Sequence, residues 1–294
     1  MKVYIPLLYS EKVKRPDKRY FLNNIIGEDF IIIILSFACS SSNFGYSIAG
    51  LFFLQMAFWC IYELGYIEND VVGEKFEDKA ILSYNYKSYE ISFGFWQPWL
   101  WSLCLSVPGI VLLVQDKTIK SIPLNFIPNE YSHYLFLISQ ELVCWLLFLI
   151  ALRVLFFVYN HVNKQSRIWL YLPLQACRYC GFLVILSTNI IGLMFAVSSV
   201  LTRSIQYILY RYLGGKTSSW PMDFPRYFFC FLIFIILTGI VAANNRSLSL
   251  ILNPQVLFIF IFCLLRGSKH FYNVCIQFVP VSKDGSNRIS SLNK

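Results

Sequence analysis

The sequence predicts an all-α, polytopic transmembrane bundle of about eight spans, and three observations carry that prediction. Hydrophobic residues make up 57% of the 294 residues and charged ones only 14%, against about 25% charged in a soluble domain. So few charges cannot cover a water-facing surface, and the mean hydropathy of +0.56 agrees with an outer surface that meets lipid. The apolar residues also gather into runs of about 20, the length a helix needs to cross the ~30 Å hydrocarbon layer. Finally, Lys and Arg are spread unevenly between those runs.

The spans fall near residues 27–42, 45–67, 95–115, 133–159, 169–187, 188–211, 226–245 and 253–270. The stretch from Trp169 to Arg211 is too long for one helix, and a turn is expected near Ser187, Thr188 and Asn189. Residues 27–270 are thus the membrane domain, with an acidic loop at 68–94. A basic segment, 1–26, precedes it, and a tail, 271–294, follows it. Eight spans put both termini on one side. Eighteen Lys and Arg lie on segments of that side and three, Lys117, Lys120 and Arg246, on the other. This excess makes the terminal side cytoplasmic, and the expected location is the plasma (inner) membrane. The net charge of +9 then belongs to insertion and to membrane lipid headgroups as partners. No pattern that reads nucleic acid is present. Most of the nine cysteines sit in apolar runs, where Cys packs as a small hydrophobe. Cys177 and Cys180 have zinc or redox spacing, but no second pair completes a tetrahedral site.

The second span runs into YELGYIENDVVGEKFEDK, residues 62–79. If the helix continues, Glu63, Asp70, Glu74, Glu77 and Asp78 fall within an arc of about 100°. Like charges at helical spacing repel, and clustered carboxylate oxygens suit a hard divalent cation, with magnesium completing its shell from substrate phosphates. Glu63 lies at bilayer depth, where ionisable residues are rare and often functional. The alternative is a solvated helix end with Lys75 and Lys79 as local partners.

Cations have a pattern too. Arg203, Gln206, Tyr207 and Tyr210 share one helical face, with Arg211 at its edge. Gln175 and Arg178 are three apart, and Arg153 shares a face with Asn160. The arginine fork suits bidentate phosphate contacts. Two alternatives stand beside this. Arg178 and Arg203 pair with buried acids such as Glu141 or Glu63, and Arg153 and Arg211 snorkel to the interface.

Asn69-Asp70 at the end of the second span, followed by spaced acids, resembles the UbiA superfamily of intramembrane prenyltransferases. The resemblance implies an all-helical barrel of nine spans around a lipid-filled cavity. It also implies an NDxxDxxxD motif that binds magnesium and a prenyl diphosphate, and a second acidic motif after the sixth span. Asn69 and Asp70 match the first two positions of the motif and Glu77 its last. Gly73 stands at the middle aspartate, with Glu74 beside it as a substitute, and the segment after the sixth span holds one acid, Asp223. The implied function is transfer of a prenyl group from a polyprenyl diphosphate, or polyprenyl phosphate, to an acceptor. Asp70, Glu74 and Glu77 would hold magnesium, while Asn69, Arg178, Arg203, Arg211 and Lys216 would hold the phosphates. Asp70, Glu74, Tyr207 and Tyr210 would be catalytic, the tyrosines orienting the acceptor or shielding a carbocation. The alternative is a lapsed member of the fold that serves transport or assembly of envelope lipid or polysaccharide.

Overall fold

The computed structural model describes residues 3–16, 18–77, 80, 82–89, 92–115, 130–163, 166–212, 223–246 and 248–276. These residues form an all-helical bundle. The first helix is α1 (Ile31–Phe37), extended backward by the π-wound stretch Phe21–Phe30 and forward by the 3-10 turn Ala38–Ser40. It is followed by α2 (Phe44–Phe76), α3 (Trp96–Gln115), α4 (Glu130–His161) and α5 (Ser166–Cys180). After α5 come a 3-10 turn, Gly181–Val184, then α6 (Ile190–Tyr212), α7 (Asp223–Asn244) and α8 (Pro254–Ile276).

Six of these helical segments are long and apolar enough to cross a membrane: Phe21–Ser40, Phe44–Phe76, Trp96–Gln115, Tyr134–His161, Ile190–Leu209 and Arg226–Asn244. The segments expected as fifth and eighth spans are shorter. Arg167, Gln175 and Arg178 interrupt the apolar run of the 15-residue α5, and the apolar part of α8 is Pro254–Ser268. In contrast, α2 outruns its expected length. Its 33 residues make a helix about 50 Å long, which carries its last turns well past the ~30 Å hydrocarbon layer.

Local sequence sets the helix starts. The Asn43 side chain accepts from Tyr46 N at the start of α2. Asn189 Oδ1 accepts from Gly192 N at 2.7 Å at the start of α6, beside the expected turn. Asn253 accepts from Gln255 N at the start of α8, with Pro254 in the first turn, where its missing N–H costs nothing.

Lipid is as apolar as a leucine side chain, so close packing rather than hydrophobicity holds such helices together. Glycines allow that approach: a Cβ on Gly50 of α2 would stand 2.9 Å from the Gly109 carbonyl of α3. Helix α2 packs on α3 and α4, α5 on α4 and α6, α6 on α7, and α7 on α8. Helix α1 packs on α6 and also touches α2 and α8, joining the two halves. One core, with Phe58, Trp59, Trp145, Phe156 and Phe182, lies between α2, α4 and α5; a second, with Ile32, Phe195, Phe234 and Ile259, ties α1 to α6, α7 and α8. Leu147, Leu252 and Leu265 stand exposed on the outer face.

Candidate functional site

The acids of α2 face protein. Residues 3–16 fold back against the far half of α2 and supply the donors. Glu63, fully buried, accepts from Tyr4 Oη at 2.8 Å, Leu7 N at 2.9 Å and Ser10 N at 2.6 Å. Presenting the Leu7 amide requires a left-handed backbone there, φ 67°, which a residue with a Cβ adopts only when its surroundings impose it. Two turns on, Asp70 is also buried; its Oδ2 accepts from Tyr9 Oη at 2.6 Å and its Oδ1 pairs with Lys14 Nζ. Burial, and then the neighbouring carboxylate, hold the Tyr9 phenol well above its usual range, so it remains a donor. Glu74 accepts from Tyr86 Oη at 2.9 Å, and Glu77 pairs with Arg167 at 2.6 Å. On the flank, Glu68 takes both guanidinium nitrogens of Arg153, at 2.7 and 2.8 Å, together with Asn160 Nδ2 at 2.8 Å. Each described carboxylate of the stripe thus has its own donors, which offsets the repulsion expected along it; Asp78 lies outside the described residues.

A second charged cluster lies at the start of the first span. Glu28 and Asp29 are buried, and guanidiniums from four different helices converge on them. Arg178 of α5 donates to Asp29 through both Nε, at 2.9 Å, and Nη2. Arg203 of α6 reaches Glu28 at 2.7 Å and Asp29 at 3.2 Å. Arg226 of α7 and Arg266 of α8 approach Glu28 at 3.3 and 4.0 Å. Arg178 also lies over the Trp59 ring, 5.0 Å from its centroid. The buried partners of Arg178 and Arg203 are therefore the acids of the first span, and not Glu141 or Glu63.

Between the two clusters lies a cavity of about 830 Å³. Helix α2 gives it Asn69, Asp70, Gly73 and Glu77, and α6 gives it Arg203, Gln206, Tyr207 and Arg211. Lys14, Arg15, Lys18, Arg167 and Arg226 complete its charged wall, making seven cations against two carboxylates among the described residues. Arg15 lies 5.5 Å over the Tyr20 ring, and neither Arg15 nor Lys18 forms an ion pair among the described residues. Much of the rest is aromatic, with Tyr62, Tyr66, Phe156, Tyr159, Tyr171 and Tyr207 on the wall. Tyr207 stacks on Tyr171 at 3.8 Å between centroids, its hydroxyl lies 2.7 Å from that of Tyr159, and Arg211 Nε donates to it at 2.9 Å.

Of the residues singled out from the sequence, Asn69, Asp70, Glu77, Arg203, Tyr207 and Arg211 are brought to this one cavity. Glu74 and Arg178 are not on its wall, since Glu74 turns to Tyr86 and Arg178 sits behind, on Asp29. Lys216 and the side chain of Tyr210 lie outside the described residues. Sequence reasoning missed Lys14, Arg15, Lys18 and Arg226, as well as the acids Glu28 and Asp29. Their signal was an adjacent acid pair at the head of the run FIIIIL, where charge is costly.

As arranged, the carboxylates do not suit a magnesium ion. Such an ion needs near-octahedral oxygen ligands at about 2.0–2.1 Å, yet both Asp70 oxygens are taken and Glu77 is held by Arg167. No group of three His, Cys, Asp or Glu among the described residues converges on one point. What the arrangement offers instead is a cationic, aromatic-walled chamber for an anion with an apolar body. Comparison with protein-family models, with curated proteins and with solved structures gives no match.

Proposed function

We propose that this chain is a UbiA-like membrane protein that receives a polyprenyl diphosphate, or polyprenyl phosphate, in the cavity between α2 and α6 and passes its prenyl group to an acceptor. In this reading α5 and α8 also cross the bilayer, which makes eight spans, both termini are cytoplasmic and the membrane is the plasma (inner) membrane. One observation carries the reading: Asn69 and Asp70 from α2 share a single cavity with Arg203, Tyr207 and Arg211 from α6, and cations dominate its wall. Arg203, Arg211 and Arg226 would neutralise the phosphates as the C1–O bond breaks and its electron pair leaves on the diphosphate. The stacked rings of Tyr171 and Tyr207 would shield the allylic cation with their faces. The acceptor's nucleophilic atom would then bond to C1 and release its proton to water.

A second reading, a lapsed member of the fold that binds such a lipid for transport or assembly, is favoured by Lys14 and Tyr9 holding Asp70. Both require the same ligand, so the first test is binding. With the chain in nanodiscs, a prenyl thiolodiphosphate is expected to bind far more tightly than the prenyl alcohol of equal length. Equal affinity for the two would overturn both readings. Release of inorganic diphosphate from a prenyl diphosphate, on adding membrane extract as a source of acceptor, separates transfer from the lapsed state.

A further inference from the structure

The carboxylates that a magnesium ion would need are already occupied from within the chain, Asp70 and Glu77 by cations and Glu74 by a phenol. The arrangement of those partners bears on how the phosphate is held. Asp70 is bound on Oδ2 by Tyr9 Oη at 2.6 Å and on Oδ1 by Lys14 Nζ, with Asn69 Nδ2 at 3.4 Å. A metal could enter only by displacing the ammonium or the phenol.

Lys14 does not dangle there. It ends a segment whose earlier residues, Tyr4, Leu7 and Ser10, are all fixed on buried Glu63. An ammonium carries three donors. Asp70 takes one, and among the described residues it is the hydrogen-bond partner of Lys14; the Tyr66 ring face lies 5.9 Å away. The Lys14 side chain is 20% exposed, on the cavity wall. The same cavity is lined by Arg203 and Arg226, whose cluster sets four guanidiniums against two carboxylates among the described residues. A dication would add positive charge to a wall where, among the described residues, seven cations already outnumber two acids. A phosphate group would lower that charge.

We infer that the phosphate site of this cavity works without a metal: Lys14, on the N-terminal segment, stands at Asp70 in place of a divalent ion and binds the phosphate of a lipid phosphate or diphosphate together with Arg203, Arg211 and Arg226. The inference rests on the lipid-phosphate reading above and deepens it. Tyr9 and Asp70 are positioning residues here. They hold the ammonium, and the ammonium meets the ligand.

The test uses the full chain in phosphatidylcholine nanodiscs and two probes, inorganic diphosphate and a prenyl thiolodiphosphate, each titrated with EDTA or with magnesium chloride. Both probes are expected to bind in EDTA, with little change on adding magnesium. Lys14→Met is expected to weaken both by about 10- to 100-fold, the loss of one charge-assisted contact, and Lys14→Arg to restore most of it. Asp70→Asn, which removes the would-be metal ligand and loosens the hold on Lys14, is expected to weaken binding in EDTA less than Lys14→Met does, with no rescue by magnesium. Arg211→Gln, on a different helix, is expected to weaken binding while melting at the parent temperature, which guards against a folding defect in the Lys14 variant. Binding that needs magnesium and vanishes in Asp70→Asn would overturn the inference and leave the prenyl-diphosphate reading standing. Metal-free binding of inorganic diphosphate, with no gain from the prenyl chain, would support the inference and overturn that reading. Failure of both probes in every condition would overturn both.

Discussion

The two charged regions of this molecule bury their carboxylates in opposite ways. Along α2 each acid has private donors, three for Glu63 and two strong ones for Asp70, and most come from the short segment before the first span. At Glu28 and Asp29, two acids share guanidiniums from α5, α6, α7 and α8. The stripe is closed by its own hydrogen bonds, whereas the cluster sets more guanidiniums than carboxylates and turns Arg203 and Arg226 toward the cavity. The more conspicuous charge pattern in the sequence is therefore a docking strip for the chain's own N-terminus. The cluster without a motif is the one that turns positive charge to the cavity.

If that contrast is right, the largest stability effect belongs to the arginine cluster. Asp29→Ala leaves Arg178 buried without its partner, a change that costs about 3–5 kcal/mol. The variant should fail to accumulate or should melt far below the parent in detergent. The double change Asp29→Leu with Arg178→Met should recover much of the loss, because apolar packing replaces a buried ion pair at little cost. Parent-like melting of Asp29→Ala would break the comparison. Glu63→Ala comes next. It strips acceptors from Tyr4, Leu7 and Ser10, at about 1–3 kcal/mol for each donor that stays buried. Here the segment 3–16 can leave the bundle, so limited proteolysis should cut near the N-terminus while the body melts nearly as before. Collapse of the whole fold would show that the strip is not a separable unit. Asp70→Asn should cost about 1–3 kcal/mol in total, since the one amide oxygen can keep Tyr9 or Lys14 but not both. The smallest effect is expected at Glu68→Gln, at about 0.5–1.5 kcal/mol, because the amide oxygen still accepts and the Arg153 head keeps some contact with solvent. A thermal melt that ranks Glu68→Gln above Asp29→Ala would reverse the account.

Much of the fold was legible because the bilayer imposes a length on apolar runs. The runs at 95–115 and 226–245 fall almost on α3 and α7 for that reason. α5 was less legible, because Arg167, Gln175 and Arg178 face partners inside the protein and shorten the apolar stretch that a length rule can see. The acid stripe was visible as a period, and Asn160 and Arg153 as a shared face that in fact meets Glu68. The partners of Asp70 were not visible, since Tyr9 and Lys14 lie 61 and 56 residues away and no local pattern encodes that pairing. Of the four arginines, Arg178 and Arg203 stood out as intramembrane cations. Their convergence with Arg226 and Arg266 did not, since each lies on its own helix and the shared anchor, Glu28 and Asp29, sits far away in sequence.

The central claim is that a cationic cavity between α2 and α6 holds a phosphorylated isoprenoid lipid. The most direct measurement is mass spectrometry of the lipids that remain with the chain purified in mild detergent, beside the Arg211→Gln variant. The account predicts a polyprenyl phosphate or diphosphate on the parent, depleted in the variant, with bulk phospholipid equal on both. Bulk phospholipid alone on the parent, or the same isoprenoid content on both chains, would contradict it.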